Sequence, residues 1–366
     1  MRFTKWIVVP NVTVCATATY TALRSASEQS SAADRRAHHP ITRYHQPMQA
    51  SPLSKSAVLV SASRRCDVPR YHARWFAERL AAGVAEHRTA FGVEGRTSLA
   101  LEDVLGFLFW TRDARPLQAQ LEQLLAADIP CAFQFTLNGY GREVEPHRPS
   151  LAGSIGSFRA VAQVLPHVDA IQWRYDPILL SERYSAEYHR QRFAEIAKQL
   201  AGYTRVVNVS VVEPYLKAIR RMPDPTLEYR KADPLRHKTV ARNYPELPVA
   251  RGVAELLRDL AGIAHTHGIE LRVCCNPEYS SELFPALPRS QCIGAELFAS
   301  YAGERARVIA ELPPAPSRSS CRCLRSVDIG MDNTCLCGCR YCYVTTSLES
   351  AIENYRHLAP GSPRLR

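Results

Sequence analysis

Long apolar runs and several familiar catalytic motifs are missing from this sequence. No stretch reaches the roughly 18 apolar residues that a membrane-spanning helix needs. The chain also has no glycine-rich phosphate loop, no H-E-x-x-H and no G-x-S-x-G element. These absences argue against a helical membrane protein. They also make a phosphate-binding barrel hydrolase with a structural zinc the weakest of the functions that fit the composition.

The first 57 residues lack a sustained hydrophobic period and are rich in Ser, Ala, Thr, His and Arg. An apolar run at 6–9 faintly resembles a signal peptide, but Pro10 interrupts it. We expect residues 1–57 to be disordered, or to be translated upstream sequence with Met48 as an alternative start. They carry five of the 11 net positive charges. The remaining +6 is compatible with a phosphate-bearing partner but does not decide the function.

Cysteine is the residue type whose distribution is most informative. Nine of the 12 cysteines lie between Cys274 and Cys342. In a chain without a convincing export signal, this density favours metal binding over disulfides. We therefore predict a cytoplasmic protein without membrane association, and leave its oligomeric state open.

The densest run is Cys-Leu-Cys-Gly-Cys-Arg-Tyr-Cys at 335–342, in which Cys335, Cys339 and Cys342 have the spacing C-x3-C-x2-C. Three thiolates on one loop can hold three irons of a [4Fe-4S] cube and leave the fourth iron open. The spacing, with aromatic Tyr341 before the last cysteine, resembles that of radical S-adenosylmethionine enzymes. It predicts that these three cysteines are cluster ligands.

Two other interpretations of this run stay open. With Cys337 it offers four thiols, which a structural zinc would also accept, although zinc sites usually have two separated C-x2-4-C arms. The thiols could also be inert. Cys337 is not needed by the three-iron pattern; it could face solvent or compete for the open iron.

Four further cysteines suggest a second metal site, either an iron–sulfur cluster or a structural zinc. They are Cys275, Cys292, Cys321 and Cys323. Some of them could instead be ordinary buried small residues. Cys15 and Cys274 have no predicted role.

From residue 58 onward, apolar runs alternate with helical periodicity, which predicts parallel βαβ units in one domain over 58–366. We expect strands at 58–63, 104–110, 131–137, 170–173, 206–212, 269–274 and 326–330. We expect helices at 71–82, 116–127, 186–200 and 253–265, and a last helix whose capping box is Thr346 with Glu349. The fold class is α/β, a full or partial parallel (β/α) barrel, with an open doubly wound sheet as the alternative. Residues 222–248 show no period and are either a substrate lid or a flexible insertion.

Polar residues follow strand after strand, and in a parallel barrel the carboxyl ends of strands face the same side, where active sites lie. A single Arg–Asp pair would suit a structural salt bridge equally well, but the repetition favours a site. We predict substrate contacts from the following side chains: Trp110, Gln134, Tyr140, Arg174 and Asp176.

Several stretches together resemble the bacterial family of domain of unknown function 1848, whose members carry a radical-SAM-like cysteine cluster at the C-terminus. They are 61–69, 109–112, 133–141, 173–178, 326–330 and 333–335, within a resemblance that spans 58–344. Two residues depart from the pattern: Cys66 stands where we expect Thr, and Cys337 where a non-thiol is usual.

The resemblance implies a circularly permuted radical SAM barrel whose cluster-bearing βα unit comes last and lies beside the first strand. Arg64, Arg65 and Asp67 would then lie next to the cluster and, with Tyr341, bind S-adenosylmethionine. It further implies a [4Fe-4S] cofactor and an electron donor such as a flavodoxin or ferredoxin. The substrate is open: a nucleic acid, a nucleotide or a phosphorylated metabolite would suit the charge.

The competing function class is a non-enzymatic iron–sulfur or zinc protein that senses redox state or binds nucleic acid. The polar residues at the strand ends argue against it, because a purely structural site would not need them.

Overall fold

A seven-stranded, wholly parallel sheet organises the computed structural model. The structure describes residues 53–89, 92–233, 237–276, 287–318 and 320–366. Our expectation for the N-terminal extension falls mostly on 1–52, outside the described residues. Of the rest, Leu53 and Ala57 pack against the core.

The sheet has the strand order β8-β7-β6-β5-β4-β1-β9. Its strands are β1 Val58–Ala62, β4 Val104–Thr111, β5 Cys131–Thr136, β6 Ile171–Ile178, β7 Val206–Val211, β8 Glu270–Val273 and β9 Val327–Asp328. A separate antiparallel hairpin consists of β2 Val84–Arg88 and β3 Glu94–Ser98. Every adjacent pair in the large sheet is parallel, and β9 pairs with β1 through Val60–Val327 and Ser61–Asp328. The last strand in sequence therefore lies beside the first.

Helices connect and cover these strands. They are α1 Val68–Tyr71, α2 Ala73–Ala81, α3 Gln118–Ala126, α4 Leu151–Val164, α5 Ala186–Leu200, α6 Leu216–Arg221, α7 Lys238–Asn243, α8 Val253–Thr266, α9 Glu296–Ala299, α10 Gly303–Ala310 and α11 Leu348–Arg356. Side-chain caps define several starts, since Ser150, Ser185 and Ser347 each accept a backbone N–H of the first turn. Among the described helices, none is both long and apolar enough to cross a bilayer.

The two faces of the sheet have different partners, because successive side chains of a strand point to opposite sides. One face is apolar and packs against α2, α3, α4, α5 and α8 in the main core. The other face starts apolar, under α9 and α10, and becomes polar toward the carboxyl ends of the strands. The polar half of this second face is where the candidate site lies.

The α/β fold and its parallel sheet are confirmed, and helix 186–200 has the predicted bounds. The predictions omit the β2–β3 hairpin, whose strands are rich in charge, and α4, which is rich in Gly and Ser. They also omit the short helices α1, α6, α7, α9 and α10, each of four to eight residues. The last helix begins one residue later than expected: Ser347, and not Thr346, is its N-cap, because Ser347 Oγ accepts from Ser350 N.

The described part of 222–248 is held by backbone pairing. Glu228 pairs with Leu180, Tyr229 pairs with Val249, and α7 lies within the segment. Leu227 and Tyr229 are buried in a small cluster with Tyr140 and Tyr184. The described residues of this segment therefore form part of the packed structure.

Candidate functional site

The cysteine loop leaves the sheet directly after β9, at the carboxyl edge next to β1. Asn333 joins the two ends of the loop, because its side-chain oxygen accepts a hydrogen bond from Thr346 N at 2.6 Å. Asn354 of α11 donates to Asn333 O at 2.9 Å, and Asn333 itself has φ +57. The loop and α11 therefore form one closed unit, as the predicted strand–loop–helix arrangement requires.

The three motif thiols differ from Cys337 in exposure. Cys335, Cys339 and Cys342 are half-buried, whereas Cys337 is only 5% exposed. The Cys337 thiol lies 3.8 Å from Asp67 Oδ2 and hydrogen-bonds with both Cys335 and Cys339. Cys337 therefore does not face solvent; it lies among the other thiols of the loop.

A buried polar network supports the loop from below. Tyr341 OH donates to Glu145 Oε1 at 2.6 Å and accepts from Arg112 Nη2 at 2.5 Å and Asn138 Nδ2 at 3.2 Å. Arg112 and Glu145 also form an ion pair at 2.9 Å, with side chains 10% and 1% exposed. Burial raises the pKa of Tyr341, so its hydroxyl keeps its proton. In this structure Tyr341 anchors the loop, and its predicted contact with S-adenosylmethionine stays a prediction.

Two arginines place positive charge near the thiols. Arg112 interacts electrostatically with Cys339 and Cys337. Arg221 of α6 donates to Thr345 O at 2.8 Å and to Cys342 O, and it interacts with the Cys342 thiol. The hydrogen bond to Cys337 and burial raise the pKa of Cys339 well above its usual range, and Arg112 acts against them. A nearby cation favours the thiolate, which is the form that binds metals.

The contact between β9 and β1 fixes the predicted residues Arg64 and Arg65. Asp328 accepts from Ser63 Oγ at 2.5 Å and from Arg64 N at 2.9 Å. Arg65 donates to Gly330 O and forms ion pairs with Asp328 at 3.6 Å and Asp332 at 3.3 Å. The Arg65 side chain is therefore engaged within the protein, while Arg64 is 28% exposed and 3.9 Å from Asp328.

Asp67 joins the ends of β1 and β4. Its carboxylate caps α1 through Arg70 N at 3.1 Å, and accepts from Thr111 Oγ1 at 2.7 Å and Arg112 N at 3.1 Å. Burial raises its pKa to about 6. These contacts give Asp67 a structural role directly beneath Cys337.

His72 and Cys66 support the start of the loop. His72 Nε2 lies 2.9 Å from Thr334 O, and burial lowers the pKa of His72 to about 4, so the ring is neutral. Burial also disfavours the charged form of the Cys66 thiol, and so raises its pKa to about 12. A Cβ added to Gly330 would collide with Ser63 Oγ and come within 3.0 Å of Cys66 Sγ. Only glycine allows this approach of the chain.

Three of the predicted substrate residues do come together on the polar face. Arg174 forms an ion pair with Asp176 and lies 5.1 Å from the Trp110 ring centre. Ser210 of β7 donates to Asp176, and Trp110 Nε1 donates to Ser61 at 3.1 Å. Strands β4, β6 and β7 thus present one connected polar group, which spans β5 between β4 and β6.

Gln134 and Tyr140 lie deeper than expected. Gln134 is fully buried and hydrogen-bonds with Gln172 and Cys292 O, both at 2.8 Å. Tyr140 is also fully buried and donates to Pro177 O at 2.7 Å. Sequence position after a strand does not distinguish such interior side chains from exposed ones, so their contact with substrate stays a prediction.

Tyr343 lies within electrostatic range of both the cysteine loop and this polar group. It is 48% exposed, stacks on Tyr215 at 5.0 Å, and interacts electrostatically with Cys342 and Arg174. Its place, one residue after the last cysteine, was the only sequence signal for it.

The second set of cysteines lies on the same face of the sheet, beside β8. Cys274 Sγ is 3.7 Å from Cys275 Sγ and 3.6 Å from Cys292 Sγ. Cys321 hydrogen-bonds with Cys275 and Cys323, and Cys323 with Cys292. Arg174 Nη1 lies 3.1 Å from Cys292 Sγ. The structure brings all four predicted cysteines together and adds Cys274, for which the sequence predicted no role.

Across the described ranges, no group of three or more His, Cys, Asp or Glu side chains has the arrangement that a bound metal ion requires. The thiols of the second set contact one another in succession, and do not surround one point. For both sets, the structure shows proximity and burial, and the identity of any metal rests on donor chemistry.

A hollow of about 310 Å³ lies at the opposite, amino-terminal edge of β6, β7 and β8. Its charged lining residues pair with one another, as in Arg272–Glu296 and Arg205–Asp169. It lies at the opposite end of the strands from Cys335, Cys339 and Cys342, because their loop leaves the carboxyl edge. We do not assign the chemistry to it.

Four residues that support the candidate site lie outside the predicted set. They are Glu145, Asn138, Arg221 and Asp328. Asn138 and Asp328 lie within stretches that carry the family resemblance. Glu145 and Arg221 lie outside every predicted strand and helix and gave no signal.

A parallel α/β sheet with a cysteine-rich loop at its carboxyl edge defines a thiol-bearing α/β protein. The family model for domain of unknown function (DUF1848) matches residues 59–344, and the chain belongs to this family. No curated protein matches the chain. Among solved structures, mannonate dehydratase from Streptococcus suis serotype 2 is similar, with 13% identity over 55% of this chain and a TM-score of 0.29. The match covers 62% of that enzyme, and the likeness is too slight to carry an argument.

Proposed function

We propose that this chain is a radical S-adenosylmethionine enzyme that holds a [4Fe-4S] cluster through Cys335, Cys339 and Cys342. The observation that carries the proposal is the position of these half-buried thiols, on a closed loop at the carboxyl edge of a parallel sheet. Carboxyl edges are where parallel α/β proteins hold their active sites.

The residues around the loop fit such a group. Thiolate is the ligand that iron–sulfur clusters select, and three thiolates leave one iron for another ligand. Arg112 and Arg221 offset the negative charge, while Glu145 and Tyr341 hold the loop in place. When bound and reduced by its donor, a cluster there would supply the one electron that cleaves a carbon–sulfur bond of S-adenosylmethionine, giving methionine and a 5′-deoxyadenosyl radical that would take hydrogen from a substrate.

The chain's own residues would position that substrate and exclude water. Trp110, Asp176 and Tyr343 present accessible surface between the loop and the polar strand ends. Arg64, at 28% exposure beside β9, is available to a carboxylate or phosphate. An anionic substrate such as a nucleotide, nucleic acid or phosphorylated metabolite is part of the proposal, as are a flavodoxin- or ferredoxin-like donor and a cytoplasmic location.

The proposal includes a permuted barrel. The unit β9–loop–α11 would be the first βα unit of the barrel in spatial order, although it is the last in sequence. The parallel pairing of β9 with β1 supports this, because it places that unit immediately before β1 in the sheet.

The test is anaerobic reconstitution of three proteins: the unaltered chain, Cys335→Ala, and Cys337→Ala as the matched control from the same loop. Iron and sulfide content, electron paramagnetic resonance with and without S-adenosylmethionine, and release of 5′-deoxyadenosine would be measured. We expect the cluster signal and nucleoside release in the unaltered chain and in Cys337→Ala, but not in Cys335→Ala.

Equal iron loading in Cys335→Ala would contradict the proposal. A chain that binds no iron, and that holds one zinc fewer in Cys337→Ala than in the unaltered protein, would instead indicate a tetrathiolate zinc loop.

A further inference from the structure

The cysteines beside β8 come from three separate parts of the chain. Cys274 and Cys275 follow β8, Cys292 follows the backbone bridge of Arg289 with Val273, and Cys321 and Cys323 lie on a turn closed by the Pro314–Leu324 bridge. Leu324 N also donates to Ile293 O at 2.9 Å. These thiols therefore meet because distant parts of the chain pack together. Closeness in sequence accounts only for the pairs 274–275 and 321–323.

The contacts close into a ring: 274 to 275, 275 to 321, 321 to 323, 323 to 292, and 292 back to 274. Four of the five residues are at most 7% exposed, and only Cys321 is half-buried. None of the five is in a disulfide. Five free thiols at this density, nearly closed to solvent, have the composition of a structural metal site.

The sulfur spacing distinguishes between metals. A tetrahedral zinc with Zn–S bonds of about 2.3 Å has sulfur–sulfur edges of about 3.8 Å. The Cys274–Cys292 separation of 3.6 Å is close to that edge, and it is an edge of the site when Cys274 is the fourth ligand. In an iron–sulfur cube each thiolate binds a different iron, so its sulfur atoms stand farther apart than the edge of a single tetrahedron.

We propose that Cys292, Cys321 and Cys323, with one thiol of the Cys274–Cys275 pair, bind a single structural zinc ion. The ring of contacts must contract around the ion, because the thiols do not yet surround one point. Arg174 stands beside Cys292 and offsets the negative charge of a tetrathiolate site. The zinc would fasten the segment 287–325, in which the described helices are only α9 and α10, against the polar face of the sheet.

This site does not depend on the cluster proposed above. Its test therefore uses a protein in which two of the proposed cluster ligands have been replaced. The full-length chain carrying Cys335→Ala and Cys342→Ala would be purified, and its zinc and iron measured by mass spectrometry. We expect one zinc per chain and no iron. In the same background, Cys292→Ala or Cys323→Ala should lose the zinc, and Cys131→Ala, a fully buried cysteine on β5, should keep it.

A second measurement covers variants that fail to fold. A strong chelator added to the Cys335→Ala/Cys342→Ala protein should remove the zinc and lower the thermal midpoint by about 10 °C, with recovery when zinc is returned. Cobalt in place of zinc should give the intense visible absorption of a tetrathiolate ion. Iron with sulfide in place of zinc, a disulfide within the set, or a metal-free protein with an unchanged midpoint would each overturn the proposal.

Discussion

The two cysteine groups of this chain differ in how far solvent reaches their thiols and in what holds them. Cys335, Cys339 and Cys342 are half-buried on a loop supported by the ion pair of Arg112 with Glu145. The second group, around Cys292 and Cys323 at 4% exposure each, consists mainly of thiols touching thiols.

This difference matches two uses of a metal. A centre that takes part in a reaction must leave a position open, so its ligands lie at an accessible edge and the protein supplies the rigidity. A structural centre is closed, and its ligands themselves join distant parts of the chain. Arg174 links the second group to the polar strand ends, since it contacts Cys292, Asp176 and the face of Trp110.

The largest effect that should separate the two regions is expected from Arg112→Met. Glu145, at 1% exposure, would lose its cationic partner, and breaking such a buried pair costs about 3–5 kcal/mol. The loop should lose iron while the second group keeps its zinc. Denaturant unfolding together with metal analysis checks both expectations.

The matched control is Arg74→Met. Arg74 pairs with Glu78 at 3.2 Å on an exposed helix face, where such a pair is worth at most about 0.5 kcal/mol. If Arg112→Met lost zinc and kept iron, Arg112 would support the second cysteine group and not the 335–342 loop, which contradicts the prediction.

Acid should affect the support of the loop through His72. Its pKa is about 4 in the folded chain against an ordinary value of 6.5, so the unfolded chain binds a proton that the folded chain does not. This contribution is fully present above pH 6.5 and is lost as the pH falls toward 4, by up to about 3 kcal/mol. Asp67 acts with the opposite sign: its raised pKa of about 6 removes stability as the pH rises from about 4 to 6.

Comparison of His72→Gln with His189→Gln isolates the effect on the loop. Burial lowers the pKa of His189 to about 4 as well, but His189 contacts Tyr175 and Leu179 O. The unfolding free energy should be measured at pH 7 and at pH 5. Its decrease between the two pH values should be smaller in both variants than in the unaltered chain. Iron loading should change only in His72→Gln; an equal change in both would show that the loss comes from general destabilisation and not from the contact of His72 with the loop.

The smallest effect is expected from Gly330→Ala. The added Cβ would collide with Ser63 Oγ, so β9 must shift away from β1, at a cost of about 1–3 kcal/mol. Iron loading should fall and zinc should stay, as measured by metal analysis and thermal unfolding. In α8, Gly262→Ala is the control: no described atom lies within 4 Å of its added Cβ, and helix propensity should stabilise it by about 0.5–1 kcal/mol. Unchanged stability in Gly330→Ala would show that β9 can shift relative to β1 without a measurable cost in unfolding free energy.

Local sequence determined the parts of this protein that depend on neighbouring residues. The capped, periodic segment after Ser185 forms a helix with the predicted bounds, and the apolar run from Val104 forms a central strand. The spacing of Cys335, Cys339 and Cys342 likewise sets three thiols on one loop before any folding. These features follow from hydrogen bonding, period and spacing within about 15 residues.

The tertiary structure alone decided which distant residues meet. The ion pair of Arg112 with Glu145 joins two irregular segments, and the alignment of β9 with β1 joins the two ends of the domain. The tertiary structure also placed Gln134 and Tyr140 in the interior and brought Cys274 next to Cys292. No periodicity encodes such contacts, because they result from burying the whole sheet, and a side chain's environment is set by what packs over it.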